Sequence, residues 1–411
     1  MSEAERRRAE SLPAAALLIA LTAIAPLAID MFLPSMPAMA EEFDVPSATI
    51  QLAVTLFLLA FAASQLVYGP ASDRFGRRPV LFVGLVLFIG GGVISLLAPS
   101  AEVLIAGRIV QGFGGGAGPA IGRAIVLDVY GRERAARVLA YMTIATPLAP
   151  AIAPIIGGGL QELFDWRAVF VTLTVLGVFL LVAYRAMIPE TNRRPDLAAT
   201  NARQMSRNYG VLFRSRPFVA YALVMGLMFS GQLVFISGSS FVFIDELGLS
   251  AGFFGLGFGF VAVGIMAGAG LSSRLIGRWQ DTNIVLLGAV VAASASAIMA
   301  ALAWAGVANV WAVMLPMFVT AGGFGIARPP AMAGALIPFP HMAGLASAVL
   351  GFGQMIFATT YNIAFSTLVQ VDLVAMTSGI AAAAAVALVT LLLVRPPAAV
   401  RHSSEAPAAD R

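Results

Sequence analysis

Ala25-Pro26-Leu27-Ala28-Ile29-Asp30-Met31-Phe32-Leu33-Pro34 sits inside an apolar run from Pro13 to about Ala40, and no charge falls between Glu10 and Asp30. A run of that length can cross the roughly 30 Å hydrocarbon core of a bilayer, which takes about 20 residues of helix. Asp30 then lies several turns inside the membrane with a proline on either side. An ionised carboxylate there is expensive, so it faces a polar cavity, titrates or pairs with a cation. The alternative is a carboxyl near the outer interface that is merely solvated.

The whole chain has the same character. Of its 411 residues, 59% are hydrophobic and 11% charged, against about 25% charged in soluble domains. One aqueous core could not hide so much apolar surface, so the sequence reads as a polytopic membrane protein. The net charge is +4 and all 25 basic residues are Arg, but their placement follows membrane topology and implies no nucleic acid. Cysteine is absent, which excludes disulfides, thiolate metal sites and cysteine catalysis. Glu3, Glu5, Arg6, Arg7, Arg8 and Glu10 make a mixed-charge start, and the first apolar run is too long for the h-region of a cleavable signal peptide.

Apolar runs recur at about 14–39, 48–69, 80–98, 103–127, 137–161 and 167–188, then at about 217–244, 251–273, 283–305, 309–331, 342–369 and 373–394. Each is long enough to span as a helix. The fold class expected is therefore an all-α membrane protein of twelve transmembrane helices in two six-helix halves. The domain reading is a cytoplasmic N-terminus 1–13, a bundle 14–188, a linker 189–216, a second bundle 217–394 and a tail 395–411. The linker carries Arg193, Arg194, Arg203, Arg207, Arg214 and Arg216. Further arginines (Arg74, Arg77 and Arg78; Arg132, Arg134 and Arg137; Arg274 and Arg278; Arg395) fall in loops on the same side. Loops on the other side hold Arg167 and otherwise acids: Glu41, Glu42, Asp44, Glu102, Glu162, Asp165, Asp245 and Glu246. The positive-inside bias places both termini in the cytoplasm, and a bacterial inner membrane is the expected location.

The loop after the second run reads Gly69-Pro-Ala-Ser-Asp73-Arg74-Phe-Gly76-Arg77-Arg78, and the loop after the eighth reads Gly270-Leu-Ser-Ser-Arg274-Leu-Ile-Gly277-Arg278. Gly, charge, Gly and Arg recur at equal spacing and at the same topological place in each half, as expected of parallel repeats in a transporter. Gly69 and Gly76 permit a tight reversal and close helix approach. Asp73 can face the positive end of a neighbouring helix, and Arg77 can pair with an acid such as Asp128 at the end of the fourth run.

These residues carry a family resemblance. The Gly69–Arg78 loop resembles the signature loop of the major facilitator superfamily. Arg108-x-x-Gln111-Gly112 resembles the fourth-helix motif of proton-coupled drug antiporters, and Pro154-x-x-Gly157-Gly158 resembles the antiporter motif, with Ala153 where that motif has Gly. Ile29-Asp30-Met31-Phe32-Leu33-Pro34-Ser35-Met36-Pro37 resembles the first span of the Bcr/CflA group, the bicyclomycin and chloramphenicol type of drug/proton antiporter. Asp165-Trp166-Arg167-Ala168-Val169-Phe170 and the stretch from Ala331 through His341 to Gly344 are similar to two further stretches of that group. The resemblance implies export of hydrophobic or amphipathic drugs or metabolites against proton entry, with Asp30 as the embedded proton carrier. The Gly69, Asp73, Arg74, Gly76, Arg77, Arg78 and Asp128 set would latch one conformation.

Depth brings two charges together. With about 1.5 Å rise per residue, Asp30 lies roughly 13 Å and Arg108 about 8 Å from the outer ends of their spans, so the pair would lower each other's burial cost and Arg108 would tune Asp30. Helical spacing offers Phe57, Phe61 and Gln65, then Gln111, Gln232 and Phe235, and finally Gln354, Phe357 and Tyr361 as walls of a substrate cavity. No Ser/His/Asp set, metal-ligand cluster or phosphate loop after a strand is present, so an enzyme is not expected, nor a metal or cofactor; the proton gradient is the driving force. The partners expected are a small amphipathic molecule, protons and membrane lipid, with the chain acting as a monomer. A symporter or facilitator for a sugar or organic acid, or a non-transporting receptor on the same scaffold, is the alternative.

Overall fold

The computed structural model describes residues 9, 11–130, 132–192, 196, 202–339 and 342–394. Arg193, Arg194, His341, Arg395 and the tail lie outside them. Among the described residues the chain is helical and its twelve apolar runs each fall on helix. Span one is Leu12–Asp30, continued through a short 3-10 turn at Leu33–Ser35 into Met36–Glu42. Ser47–Phe75 and Arg77–Leu96 are spans two and three. Span four is divided at Gly116 into Ala101–Gly115 and Ala117–Val129; span five is Arg132–Leu163 and span six Arg167–Met187. The second half supplies Arg216–Ser240 (extended by a π-turn Phe241–Glu246), Ala251–Leu275, Asp281–Trp304, Val310–Leu336, Ala343–Leu368 and Leu373–Val394 as spans seven to twelve. Among the described residues ten helices are long and apolar enough to cross a membrane.

Local chemistry sets the boundaries. Ser11 accepts a hydrogen bond from the Ala14 N–H at 3.3 Å and starts span one with Pro13 in its first turn. Pro34 stops it, because a proline has no N–H to continue the ladder onto the Asp30 carbonyl. Span five, in contrast, runs unbroken through Pro147, Pro150 and Pro154. The polar linker, expected as a mere connection, contains a helix of its own, Ala202–Arg214.

The end of the bundle that carries the arginine loops, called here the basic end, is built on the Gly69–Arg78 loop. Arg77 pairs with Asp73 and, through Nε, with Asp128 at 3.2 Å, and donates to Ser72 Oγ at 2.7 Å. Asp73 is thus held by its own loop, not by a neighbouring helix end. The first linker residues complete the knot. Glu190 accepts from the backbone N–H groups of Arg77 and Arg78 at 3.0 and 2.9 Å, capping span three. Asn192 Nδ2 donates to the Asp73 carbonyl at 2.8 Å, and the Thr191 hydroxyl to Asp128 at 3.2 Å. Gly76 sits at φ 98°, and its counterpart Gly277 in the second half sits at φ 93°, so the sequence echo is also a backbone echo.

The halves also meet toward the opposite, acidic end, where Gly158 approaches Ala251. Spans five and eight, and spans two and eleven, pack across the two halves. Asn362 of span eleven donates to the Thr55 hydroxyl of span two at 2.9 Å and accepts from Ser237 of span seven at 3.0 Å, all three buried. Within the first half, Trp166 Nε1 and Arg167 both donate to Glu42, tying span six to span one.

A methyl at Gly76 would force a non-glycine residue into a backbone region reserved almost wholly for glycine, at a cost on the order of 1–3 kcal/mol, and would stand 2.6 Å from Glu190 Oε2. Gly69 has nothing within 4 Å of such a methyl. Gly76→Ala is therefore expected to lower the thermal midpoint of the purified protein by several degrees and Gly69→Ala to leave it in place, measured by unfolding in detergent.

Candidate functional site

The charged centre of the first half lies where spans one, two and four converge. Arg108 is fully buried, as is Gln111, one turn on. The helix break at Pro34 leaves a carbonyl free here: Phe32 N–H turns to the Ile29 carbonyl at 3.3 Å, so the Ala28 carbonyl lacks its helical donor. Arg108 takes it, donating to the Ala28 carbonyl at 3.0 Å and to Gln111 Oε1 at 2.8 Å. Its guanidinium lies between two rings, 4.5 Å from the centre of Phe32 and 4.2 Å from that of Phe57. Such cation–π contacts are worth about 2 kcal/mol or more when desolvated. The Nε and one terminal nitrogen find no acceptor among the described residues.

Asp30 is 5% exposed and lies two residues past the carbonyl that Arg108 holds. Their similar depth suggested that the two charges could lower each other's burial cost. Among the described residues no ion pair forms: no hydrogen bond or salt bridge reaches the Asp30 side chain. Arg108 instead turns one terminal nitrogen to the Ala28 carbonyl and Gln111, and its guanidinium lies between two rings. Asp30 is left as a buried acid without a counter-charge.

Span five packs against the residue that follows Asp30. A Cβ on Gly157 would stand 2.1 Å from the Met31 carbonyl, and one on Gly158 would stand 2.3 Å from the Ala251 carbonyl of span eight. Consecutive glycines thus press on span one of their own half and on the other half. Pro154 completes the motif, its carbonyl lying against Gly255 of span eight. The motif is a three-way contact between spans one, five and eight, next to the buried acid.

The expected cavity walls divide. Gln232 lines a cavity in the second half together with Met228, Gly231, Thr320 and Phe324. Phe57 is part of the Arg108 cradle, and Phe61 and Gln65 are half-buried on span two. Phe235 is not a wall: it is 1% exposed and stacked on Phe258 of span eight, with ring centres 5.7 Å apart. Gln354 is buried, whereas Phe357 is 40% exposed beside Gly226. The Tyr361 hydroxyl donates to the Gly379 carbonyl of span twelve at 2.7 Å, which ties it to helix packing. In the basic-end set, Arg78 donates to the Arg185 carbonyl at 3.0 Å and Arg74 lies over the ring of Phe75. The sequence reading passed over Glu190, and over the Thr55–Asn362–Ser237 triad. A lone Asn in an apolar run was the available signal for the latter, since an amide inside a span needs partners.

Residues 18–360 match the profile of the Major Facilitator Superfamily. Over 340 residues the chain is 31% identical to "Multidrug resistance protein D" of Escherichia coli (strain K12), covering 82% of this chain and 84% of that protein. It is 27% identical over 333 residues to "Bicyclomycin resistance protein homolog" of Haemophilus influenzae, covering 80% and 83%. The fold resembles the crystal structure of a D-xylose-proton symporter with a TM-score of 0.73 at 16% identity, over 93% of this chain and 97% of that one.

The triad predicts a gate. Asn362→Ala removes two hydrogen bonds of about 1 kcal/mol each and is expected to favour an open acidic end by about fivefold to thirtyfold. The chain has no cysteine, so one placed at buried Ser35 reports directly. Its alkylation by a membrane-impermeant maleimide should accelerate by that factor in the Asn362→Ala background; an unchanged rate counts against the gate.

Proposed function

The chain belongs to the Major Facilitator Superfamily, and we propose that it exports hydrophobic or amphipathic small molecules in exchange for protons, by alternating access of its two halves. The observation that carries the reading is Asp30, an acid buried within a span with no cation paired to it among the described residues. A neutral carboxyl is tolerated there and an ionised one is costly. Proton binding and conformation are then linked: the closed acidic end holds the protonated acid, and deprotonation favours a state in which the acid meets water or cargo. The names of the relatives, multidrug and bicyclomycin resistance proteins, support drug-like cargo and the outward direction.

In this reading the basic end faces the cytoplasm, following the positive-inside bias, and the membrane is a bacterial inner membrane. The acidic end is packed shut across the halves through Gly158 and the Asn362 triad. Opening it would part Gly158 from Ala251 and expose the helix break at Asp30 to the outside. Arg108 holds the geometry of that break through the Ala28 carbonyl, and so positions Asp30 without neutralising it. The Arg77–Asp128–Glu190 knot keeps the basic-end loop rigid, so that the first half moves as one body. A single chain supplies both halves and needs no cofactor.

Everted membrane vesicles test the exchange. Wild type should accumulate a dye or antibiotic when the interior is acidified and release it when the gradient is collapsed. Asp30→Asn should lose gradient-driven accumulation by at least about tenfold, while exchange of internal for external cargo at equal pH persists. Gradient-driven accumulation at the wild-type level by Asp30→Asn would refute the assignment.

A further inference from the structure

Arg328 has no place in the exchange just described, and its setting is unusual. It lies eight residues before the end of span ten at Leu336, about 12 Å from the basic end at 1.5 Å per residue. An arginine at that depth ordinarily snorkels along the lipid-facing side of its helix. Span ten identifies that side: Leu315 and Val319 are 53% and 44% exposed. Val319 stands nine residues before Arg328, two and a half turns, so at 3.6 residues per turn the two project from opposite sides of the helix. Arg328 is nevertheless exposed. It shares its face with Phe324 and Thr320, one and two turns earlier, which line a small cavity between spans seven, nine, ten and twelve. Its exposure is therefore to space inside the bundle.

No carboxylate meets it there. Its recorded contact is the ring of Phe324 at 5.9 Å, and no ion pair to it exists among the described residues. Phe324 in turn lies against Phe229 of span seven, with ring centres 6.0 Å apart, and Gln232 is on the same wall. Acids near the basic end, Asp73 and Asp128, are already engaged by Arg77. An interior surface with aromatic walls and an unneutralised guanidinium favours an anion, repels a cation and gains little from a neutral group.

We propose that Arg328 is an anion-binding site on the interior face of span ten, and that the preferred cargo is an amphiphile with one acidic group. Its apolar body would pack on Phe324 and Phe229, and its carboxylate, sulfonate or phosphate would meet the guanidinium, which offers paired donors to such a group. The inference names a cargo class within the export reading and rests on it for the direction of transport, but not for binding.

Three probes of one shape separate the possibilities: naphthalene-2-carboxylate, naphthalene-2-carboxamide and 2-naphthylmethylammonium. Equilibrium dialysis with the purified protein should rank them acid, amide, amine. Arg328→Gln should reduce the preference for acid over amide by at least about tenfold, the worth of a hydrogen bond to a charged group, and Arg328→Lys should restore part of it. A wild-type protein that binds the acid no more tightly than the amide, or an Arg328→Gln protein with the preference intact, overturns the inference. A variant that loses acid and amide binding equally does so too. Vesicle transport of the same probes is read separately: acid bound but not driven by a proton gradient would sink the export reading and leave the anion site standing.

Discussion

Arg108 satisfies part of its charge with a backbone carbonyl and two aromatic rings, and much of the first half is arranged around that choice. A guanidinium with no anion inside an apolar bundle is tolerable only where donors find acceptors and rings supply negative faces. Ala28 can accept because Pro34 has ended the helix of span one, and Phe32 and Phe57 stand on the spans that flank it. Asp30, the acid two residues on, has no partner among the described residues, and an ionised carboxylate there is costly.

The same short segment also lies at a junction between the halves. Span five touches it with Gly157 and touches span eight with Gly158, so a change at Asp30 and a change in the packing of the acidic end involve one set of backbone contacts. Close approach of backbones through small residues is what makes helix association strong in a membrane, where apolar burial gives no advantage over lipid. The polar triad of Thr55, Asn362 and Ser237 adds direction to that contact.

Much of this was legible in the sequence. The apolar runs, the arginine asymmetry and the Gly69–Arg78 echo locate the spans, and Gly76 and Gly277 share the backbone reversal that their spacing suggested. Arg77 stands on Asp128 as its chemistry allowed. What could not be read was pairing in three dimensions. Depth alone made Asp30 and Arg108 look like partners, but the freed Ala28 carbonyl is a property of the helix break. Helical spacing put Phe235 on a cavity wall, yet the stack with Phe258 comes from span eight. Glu190 read as the start of a polar linker, and only the folded chain shows it capping span three.

The central claim is that the Asp30 carboxyl exchanges its proton as cargo binds. Its most direct test is proton release by the purified protein, followed with a pH indicator in weakly buffered detergent solution as a screened cargo is added. The account predicts close to one proton released per cargo bound by wild type and none by Asp30→Asn at saturating cargo. Equal release by the two proteins would contradict it.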